Sequence, residues 1–276
     1  MLPDPEQIRR VLRNFLSDSS QCEAAMRDLL QLAESETIDG ADVDIGRASR
    51  CGFPEVIFGE GKSPQLIVEI LQRQHTAGQR GFVTRVSQNQ ASVIAASFPD
   101  SQHNPIARTV MIPAATDVGE SAAGALAEDE LLVAVVTAGS CDAAVAQEAV
   151  ETLRWMNVAN TLIEDVGVAG PQRLQKHISV LRNVTAIVCV AGMEAALAPV
   201  VGGLVGCPVI GVPTSVGYGA SFGGITAMFS MLTCCASNVV TVNIDAGFRG
   251  GYVAGMIAIG ADCGRNTDTP EAAGND

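Results

Sequence analysis

Five apolar runs in the second half of the chain stop at small or polar residues that can do chemistry. Thr137, Gly139, Ser140 and Asp142 follow the first run, and Asp165 and Gly167 the second. Gly192 and Glu194 follow the third, Pro213, Thr214 and Ser215 the fourth, and Asn243 and Asp245 the fifth. Asp, Ser and Thr in such places cap helices by accepting their free N–H groups. Carboxylates gathered in one crevice have a second use, as proton acceptors or as ligands of a divalent cation that bridges to phosphate. The carboxylates at these ends are Asp142, Asp165, Glu194 and Asp245. The segment PTSVGYGASFGG, residues 213–224, is the most glycine-rich loop in the chain and leads into a helical stretch. Glycines let backbone N–H groups approach an anion, and a helix N-terminus favours negative charge. Thr214, Ser215, Gly217, Tyr218, Gly219 and Ser221 are therefore candidate substrate contacts, although a tight turn would need the same glycines. Cys234 and Cys235 close the next helical stretch. They either pack there or supply a thiolate, which requires a lowered pKa. Arg47, Arg50 and Lys62 put three cations into one segment of an acidic chain; they suit phosphate, and surface ion pairs would explain them equally well.

Such residues meet only if the strands that carry them lie side by side. From residue 131 onward the runs LLVAVVTAG, TLIEDVG, VTAIVCVAG, CPVIGVPTS and NVVTVNIDAG alternate with helical stretches near 142–155, 171–181, 194–204, 221–232 and 250–259. Continuous apolar strands between helices predict a parallel sheet covered on both faces, a flavodoxin-type three-layer α/β domain with right-handed crossovers. Ligands in such folds sit outside the carboxyl ends of the strands. A small mixed α+β domain is expected before it. Its elements are amphipathic helices at 8–15 and 22–32, a polar glycine-bearing segment at 42–62, a helix at 64–74 opened by proline, and β-rich runs at 82–86, 92–96 and 109–112. Residues 113–130 read as a linker, giving domains at 1–125 and 126–264 and a disordered tail at 265–276.

The 276 residues are 47% apolar and 4% aromatic, which supplies a core and excludes disorder throughout and a disulfide miniprotein. Seventeen Lys and Arg stand against 30 Asp and Glu, a net charge of −13, so a broad basic face for nucleic acid is not expected. The eight cysteines show no CxxC spacing and the three histidines are scattered, which argues against a disulfide frame or metal cluster. The start MLPDPEQIRR is charged where a signal peptide is apolar, and no run of about 18 apolar residues occurs. The expected compartment is a reducing cytoplasm, without a membrane partner.

The motifs TAGSCD, DVGVAGPQR, VAGMEAALAPVVGGL, PVIGVPTSVGYGASFGG and VNIDAGF resemble signatures of the LarB family of nickel-pincer cofactor biosynthesis, and more distantly of the PurE aminoimidazole ribonucleotide carboxylases. GRASRCGFPEVIFGEGKSP, residues 46–64, resembles a region that LarB proteins have and PurE lacks. The resemblance implies a PurE-like catalytic domain and a carboxylase and hydrolase of nicotinic acid adenine dinucleotide. Carbon dioxide or bicarbonate would be the co-substrate and Mg²⁺ the cofactor, and the products would be AMP and pyridinium-3,5-biscarboxylate mononucleotide. The family's catalytic cysteine aligns with LTCCA and so selects Cys235. Ser140 and Asp142 match the loop that holds the carboxyl group, and Glu194 the third-strand loop, with Asp142 or Glu194 as base or metal ligand. Arg173 remains from a familiar Ile-His-Arg, replaced here by Pro171-Gln172-Arg173, and Cys141 stands where serine is usual. A homo-oligomer is implied as well. Two rivals stay open: a PurE-type carboxylase or mutase that needs neither thiol nor dinucleotide, and a non-catalytic nucleotide-binding protein.

Overall fold

The computed structural model describes residues 35–114 and 132–267. The expected helices at 8–15 and 22–32, most of the expected linker and the tail beyond 267 lie outside the described residues. The chain divides into two compact units, Met1–His103 with Thr109–Glu120 and Asn104–Arg108 with Ser121–Asp276.

The first unit opens with an antiparallel pair, β1 (Glu36–Ile38) and β2 (Ala41–Val43). It continues through α1 (Arg47–Cys51), β3 (Ile57–Phe58), α2 (Pro64–Thr76), β4 (Gly81–Thr84), α3 (Gln88–Ser97), β5 (Gln102–Asn104) and β6 (Thr109–Ile112). A mixed four-stranded sheet runs in the order β3-β4-β6-β5. Ile57, Ile67, Leu71, Val83, Ile94 and Val110 fill its core. Residues 92–96, expected as a β-rich run, lie inside helix α3. A capping box decides the matter: the Ser87 hydroxyl accepts the Gln90 N–H while Gln90 Oε1 accepts the Ser87 N–H at 2.8 Å. That box nucleates a helix whose Ala91 and Ile94 then face the core.

The second unit alternates strands and helices as its sequence pattern requires. The order is β7 (Val133–Thr137), α4 (Ala143–Trp155), β8 (Asn160–Ile163), α5 (Pro171–Gln175), α6 (Ile178–Asn183), β9 (Ala186–Ala191), α7 (Leu197–Gly202), β10 (Val209–Pro213), α8 (Ile225–Leu232), β11 (Val239–Thr241) and α9 (Gly247–Thr267). The five strands are parallel and lie in the order β11-β10-β9-β7-β8. That is the flavodoxin order, with its reversal between β7 and β9. Every residue of β7, β9 and β10 is buried, as apolar strands covered on both faces must be. Each such Val or Ile contributes about 1.5–3 kcal/mol of burial. One helical stretch differs from expectation: 171–181 breaks into α5 and α6 at Lys176–His177. Helix α8 stops at Leu232, the expected end of its stretch, with Thr233 as its cap, so Cys234 and Cys235 lie beyond the helix rather than closing it. Among the described residues no helix is long and apolar enough to cross a membrane.

Candidate functional site

At the carboxyl ends of the strands the loops after β7, β9 and β10 are tied to one another through the side chain of Asp142. A 3-10 turn, Ser140–Asp142, follows β7 directly and folds the Asp142 side chain back toward the sheet. Its Oδ2 accepts the Gly139 N–H at 3.0 Å, and its Oδ1 accepts the Thr214 hydroxyl, from the loop after β10, at 2.7 Å. The Gly192 N–H, from the loop after β9, also donates to it. Asp142 is 3% exposed and Thr214 is fully buried. Burial pushes the Asp142 carboxyl above the ordinary aspartate value; the Thr214, Gly139 and Gly192 hydrogen bonds pull it down, and the charge of Asp245 adds to the rise. A carboxyl in that state can hold a proton as well as take one.

Gly192 is glycine because these loops approach too closely for any other residue. A Cβ there would lie 2.6 Å from Thr214 Oγ1 and would collide with the carbonyl of Val216. The chain then turns through Met193 (φ 53°) and Ala195 (φ 54°), left-handed conformations that cost non-glycine residues about 1–2 kcal/mol each. Met193 N–H donating to Val216 O, and Ala195 N–H to Gly192 O, both at 2.8 Å, hold that turn and present Glu194 to solvent. After β11, Asp245 (φ 56°) donates its N–H to Pro213 O at 2.8 Å and accepts the Ser215 N–H on Oδ1 at 2.8 Å. Asp245 is thus a member of the crevice that sequence analysis ranked only as a strand-end residue. The signal available was its place at the end of VNID, which a helix cap would have produced as well.

The remaining candidates divide between this edge and other places. Ser140, Ser215, Gly217, Tyr218 and Gly219 are exposed on the loops of the crevice edge, and Ser221 is buried. Arg173 pairs with Asp165 through Nη1 to Oδ2 at 2.6 Å, while the Asp165 N–H donates to Thr137 Oγ1. Arg47, Arg50 and Lys62 belong to the first unit. Arg50 Nη2 reaches both Asp44 oxygens at 2.8 Å, and the Lys62 backbone is pinned because Gln90 Nε2 donates to its carbonyl at 2.8 Å.

Cys235 is placed apart from the crevice. The chain leaves the carboxyl end of β10, returns along α8 and reaches Cys234 and Cys235 just before β11, at the amino end of the parallel sheet. Asn238, three residues on, donates to the carbonyls of Gly202, Val205 and Cys207, which precede β10. Five strand residues separate the two edges by about 16 Å. Cys235 is exposed, and the half-buried Cys234 points its thiol at Ala236 O. The thiol on the crevice edge is instead Cys141, exposed in the turn that carries Asp142.

The expected Mg²⁺ ligands do not form a cation site. Both Asp142 oxygens already accept hydrogen bonds, Glu194 faces solvent, and among the described residues no group of three or more His, Cys, Asp or Glu side chains could hold a metal.

Comparison with known proteins matches residues 35–114 to the LarB/PurE-like N-terminal domain and residues 132–266 to AIR carboxylase. An uncharacterized protein of Methanocaldococcus jannaschii is 34% identical over 227 residues, covering 78% of this chain and 83% of the relative. Among solved structures, Treponema denticola PurE and a PurE2 variant from the same organism are each 16% identical, with TM-scores of 0.37 and 0.38. They cover 49% and 50% of this chain and 91% and 92% of their own. The chain belongs to the LarB family, a LarB-type N-terminal domain joined to a PurE-related domain of carboxylase type.

Proposed function

We propose that the protein carboxylates and hydrolyses nicotinic acid adenine dinucleotide, giving AMP and pyridinium-3,5-biscarboxylate mononucleotide, at the start of a nickel-pincer cofactor pathway in the cytoplasm. The observation that carries this reading is the buried carboxyl of Asp142, raised by its surroundings and clamped at the carboxyl end of a PurE-related sheet. It is a proton acceptor set where this fold class binds ligand.

A pyridinium ring does not attack carbon dioxide. Addition of the Cys235 thiolate to C6 converts it to an enamine, and C5 then forms the new C–C bond to carbon dioxide. Loss of the C5 proton to a base and departure of the thiolate from C6 restore the aromatic ring, so the balance is one C–H exchanged for one C–CO₂⁻ with a proton released. Asp142 is the base in this scheme, and the loop N–H groups at Gly217–Ala220 face the substrate's anionic groups. Hydrolysis follows by water attack on the phosphoanhydride, which breaks a P–O bond and releases AMP. Arg47 and Lys62 are the proposed phosphate partners. Mg²⁺ would arrive with the substrate's own diphosphate, which supplies the oxygen ligands that the crevice lacks.

The placement of Cys235 at the far edge of the sheet favours one rival, a thiol-independent carboxylation of aminoimidazole ribonucleotide in the Asp142 crevice. Incubation of the protein with the dinucleotide, bicarbonate and Mg²⁺, read by mass spectrometry for AMP and the added carboxyl, tests the first reading. Turnover of aminoimidazole ribonucleotide that survives thiol alkylation would favour the second.

A further inference from the structure

One buried acidic side chain takes no part in the chemistry described so far. Glu148 lies in the middle of α4 and is 2% exposed, a place where a carboxylate is costly unless it is well partnered. Its Oε2 accepts the Phe248 N–H, in the first turn of α9, at 3.1 Å. The first N–H groups of a helix find no acceptor within it and carry the positive end of its dipole, so a carboxylate suits this place. An apolar residue of similar size would fill the space and deprive that N–H of its acceptor.

The two helices are pressed together at this point. A Cβ at Gly247 would collide with the carbonyl of Val145 and lie 2.9 Å from Glu148 Oε2, and one at Gly251, a turn later, would lie 2.6 Å from the carbonyl of Ala149. The start of α9 therefore has a seat on α4 fixed by close backbone approach and by the Glu148 hydrogen bond.

Both helices begin at the crevice. Asp142 immediately precedes α4, and Asp245 stands two residues before α9. Asp245 holds both neighbours of Thr214: its N–H donates to Pro213 O and its Oδ1 accepts the Ser215 N–H, each at 2.8 Å. Thr214 in turn donates to Asp142 at 2.7 Å. These links close a ring, from Asp142 along α4 to Glu148, across to Phe248, back to Asp245, and through Pro213 and Ser215 to Thr214 and Asp142. Opened at Glu148, the ring no longer fixes where Asp245 lies relative to α4.

We infer that Glu148 is a positioning residue for the Asp142 crevice: it seats the start of α9 on α4 and so holds Asp245, and the Thr214 loop bonded to Asp245, against Asp142. Buried behind the crevice, it acts through these groups rather than on the substrate. The seat stands on the contacts alone; its effect on carboxylation rests on the function proposed above.

Three variants test the ring. Glu148→Gln keeps an oxygen that can accept the Phe248 N–H, Glu148→Leu removes the acceptor at similar volume, and Gly247→Ala leaves Glu148 in place but wedges α9 away from it. Hydrogen exchange read by mass spectrometry should be about tenfold faster in the leucine and alanine variants for the peptide that carries Ser215, with the β7 peptide unchanged, and should keep the wild-type rate in the glutamine variant. The leucine and alanine variants should also lower kcat for carboxylation about tenfold with KM within about twofold of wild type, while the glutamine variant stays within about threefold in kcat. A Ser215 peptide that exchanges at the wild-type rate in a folded leucine variant overturns the positioning, and Gly247→Ala decides the same question should the leucine variant not fold. Equal loosening in the glutamine variant overturns the role of the hydrogen bond, and loosening without loss of kcat overturns its bearing on catalysis. Wild type that releases no AMP from the dinucleotide defeats the proposed function, and the exchange result still decides the seat of α9.

Discussion

The two edges of the parallel sheet are built on opposite plans. At the carboxyl edge the loops after β7, β9 and β10 meet on Asp142, and Asp245 ties the loop after β11 to that after β10. Asp142 and Asp245 are both hydrogen-bonded there, close approach excludes side chains at Gly192, and non-glycine residues at 193, 195 and 245 are held in left-handed conformations. At the amino edge the cysteine pair follows the capped end of α8, and the exposed Cys235 sits on a short uncharged connection anchored through Asn238. One edge is preorganised, and it has the carboxylate. The other is open, and it has Cys235. A covalent mechanism needs both, so the difference gives each half of the chemistry a separate handle.

The largest expected effect is at the amino edge. Cys235→Ser should abolish carboxylation, because a neutral hydroxyl does not add to a pyridinium ring, while AMP release continues in part. Cys234→Ser should be nearly silent. Intact-protein mass spectrometry of wild type with dinucleotide should show an adduct that the Cys235 variant lacks. Since Cys141 lies on the crevice edge, Cys141→Ser belongs in the same series. An adduct lost with Cys141 and kept with Cys235→Ser would move the thiol to the carboxyl edge and erase the contrast.

Asp142→Asn comes next, with turnover down by about two orders of magnitude. Its stability should move the other way with pH. A carboxyl raised on folding contributes stability that is complete below its unfolded pKa and is lost as pH rises through its folded value. The asparagine has no proton to lose, and its amide can donate to Thr214 while its oxygen accepts from Gly139. The Tm difference should therefore shift toward the variant from pH 4 to pH 8. A difference that stays constant over that range would mean that Asp142 does not titrate there.

Much of this contrast was legible in the sequence, and the reason it was incomplete is physical. Alternating apolar runs and helices predict a parallel sheet, and a parallel sheet collects its strand ends at one edge; hence Asp142 and Thr214 could be named before their loops were seen. Asp245 could not be separated from a helix cap, because both uses favour the same residue at the same place. Helix α3 was misread because Ser92–Ala96 has strand-like composition, while the capping box that decides it lies upstream at Ser87. Cys235 was selected by a motif, and a motif carries no information about which edge a loop reaches. Counting crossovers does: a residue after a helix and before a strand lies at the amino edge.

A smaller effect should follow Gly192→Ala. Its methyl group would press on the backbone carbonyl of Val216 as well as on Thr214 Oγ1, the hydroxyl that donates to Asp142. Overpacking of this kind costs about 1–3 kcal/mol. The urea midpoint should fall and turnover should drop about tenfold as the Asp142 cradle loosens. An unchanged midpoint would show that the loops yield without cost and that the carboxyl edge is less rigid than its contacts imply.

The smallest effect is expected in the first unit, where Lys62 is the better placed of the three proposed phosphate cations. Gln90 Nε2 donates to the carbonyls of Gly59 and Lys62 at 2.7 and 2.8 Å, which fixes the loop just ahead of Ser63, the N-cap of α2. A cation on a fixed backbone loses less entropy on binding than one on a free loop. Arg50 is already engaged by Asp44 and must exchange one anion for another. Lys62→Ala should raise KM for the dinucleotide about three- to tenfold with kcat unchanged, the signature of uniform binding lost. Arg50→Ala should change KM less than twofold. Gln90→Ala should reproduce part of the Lys62 effect by freeing the loop, and should also cost about 1–2 kcal/mol of stability through the lost buried hydrogen bonds. A KM rise for Arg50→Ala that exceeds that for Lys62→Ala would reverse the ranking, and no rise in either would leave phosphate recognition to the glycine-rich loop of the carboxyl edge, concentrating the binding chemistry there.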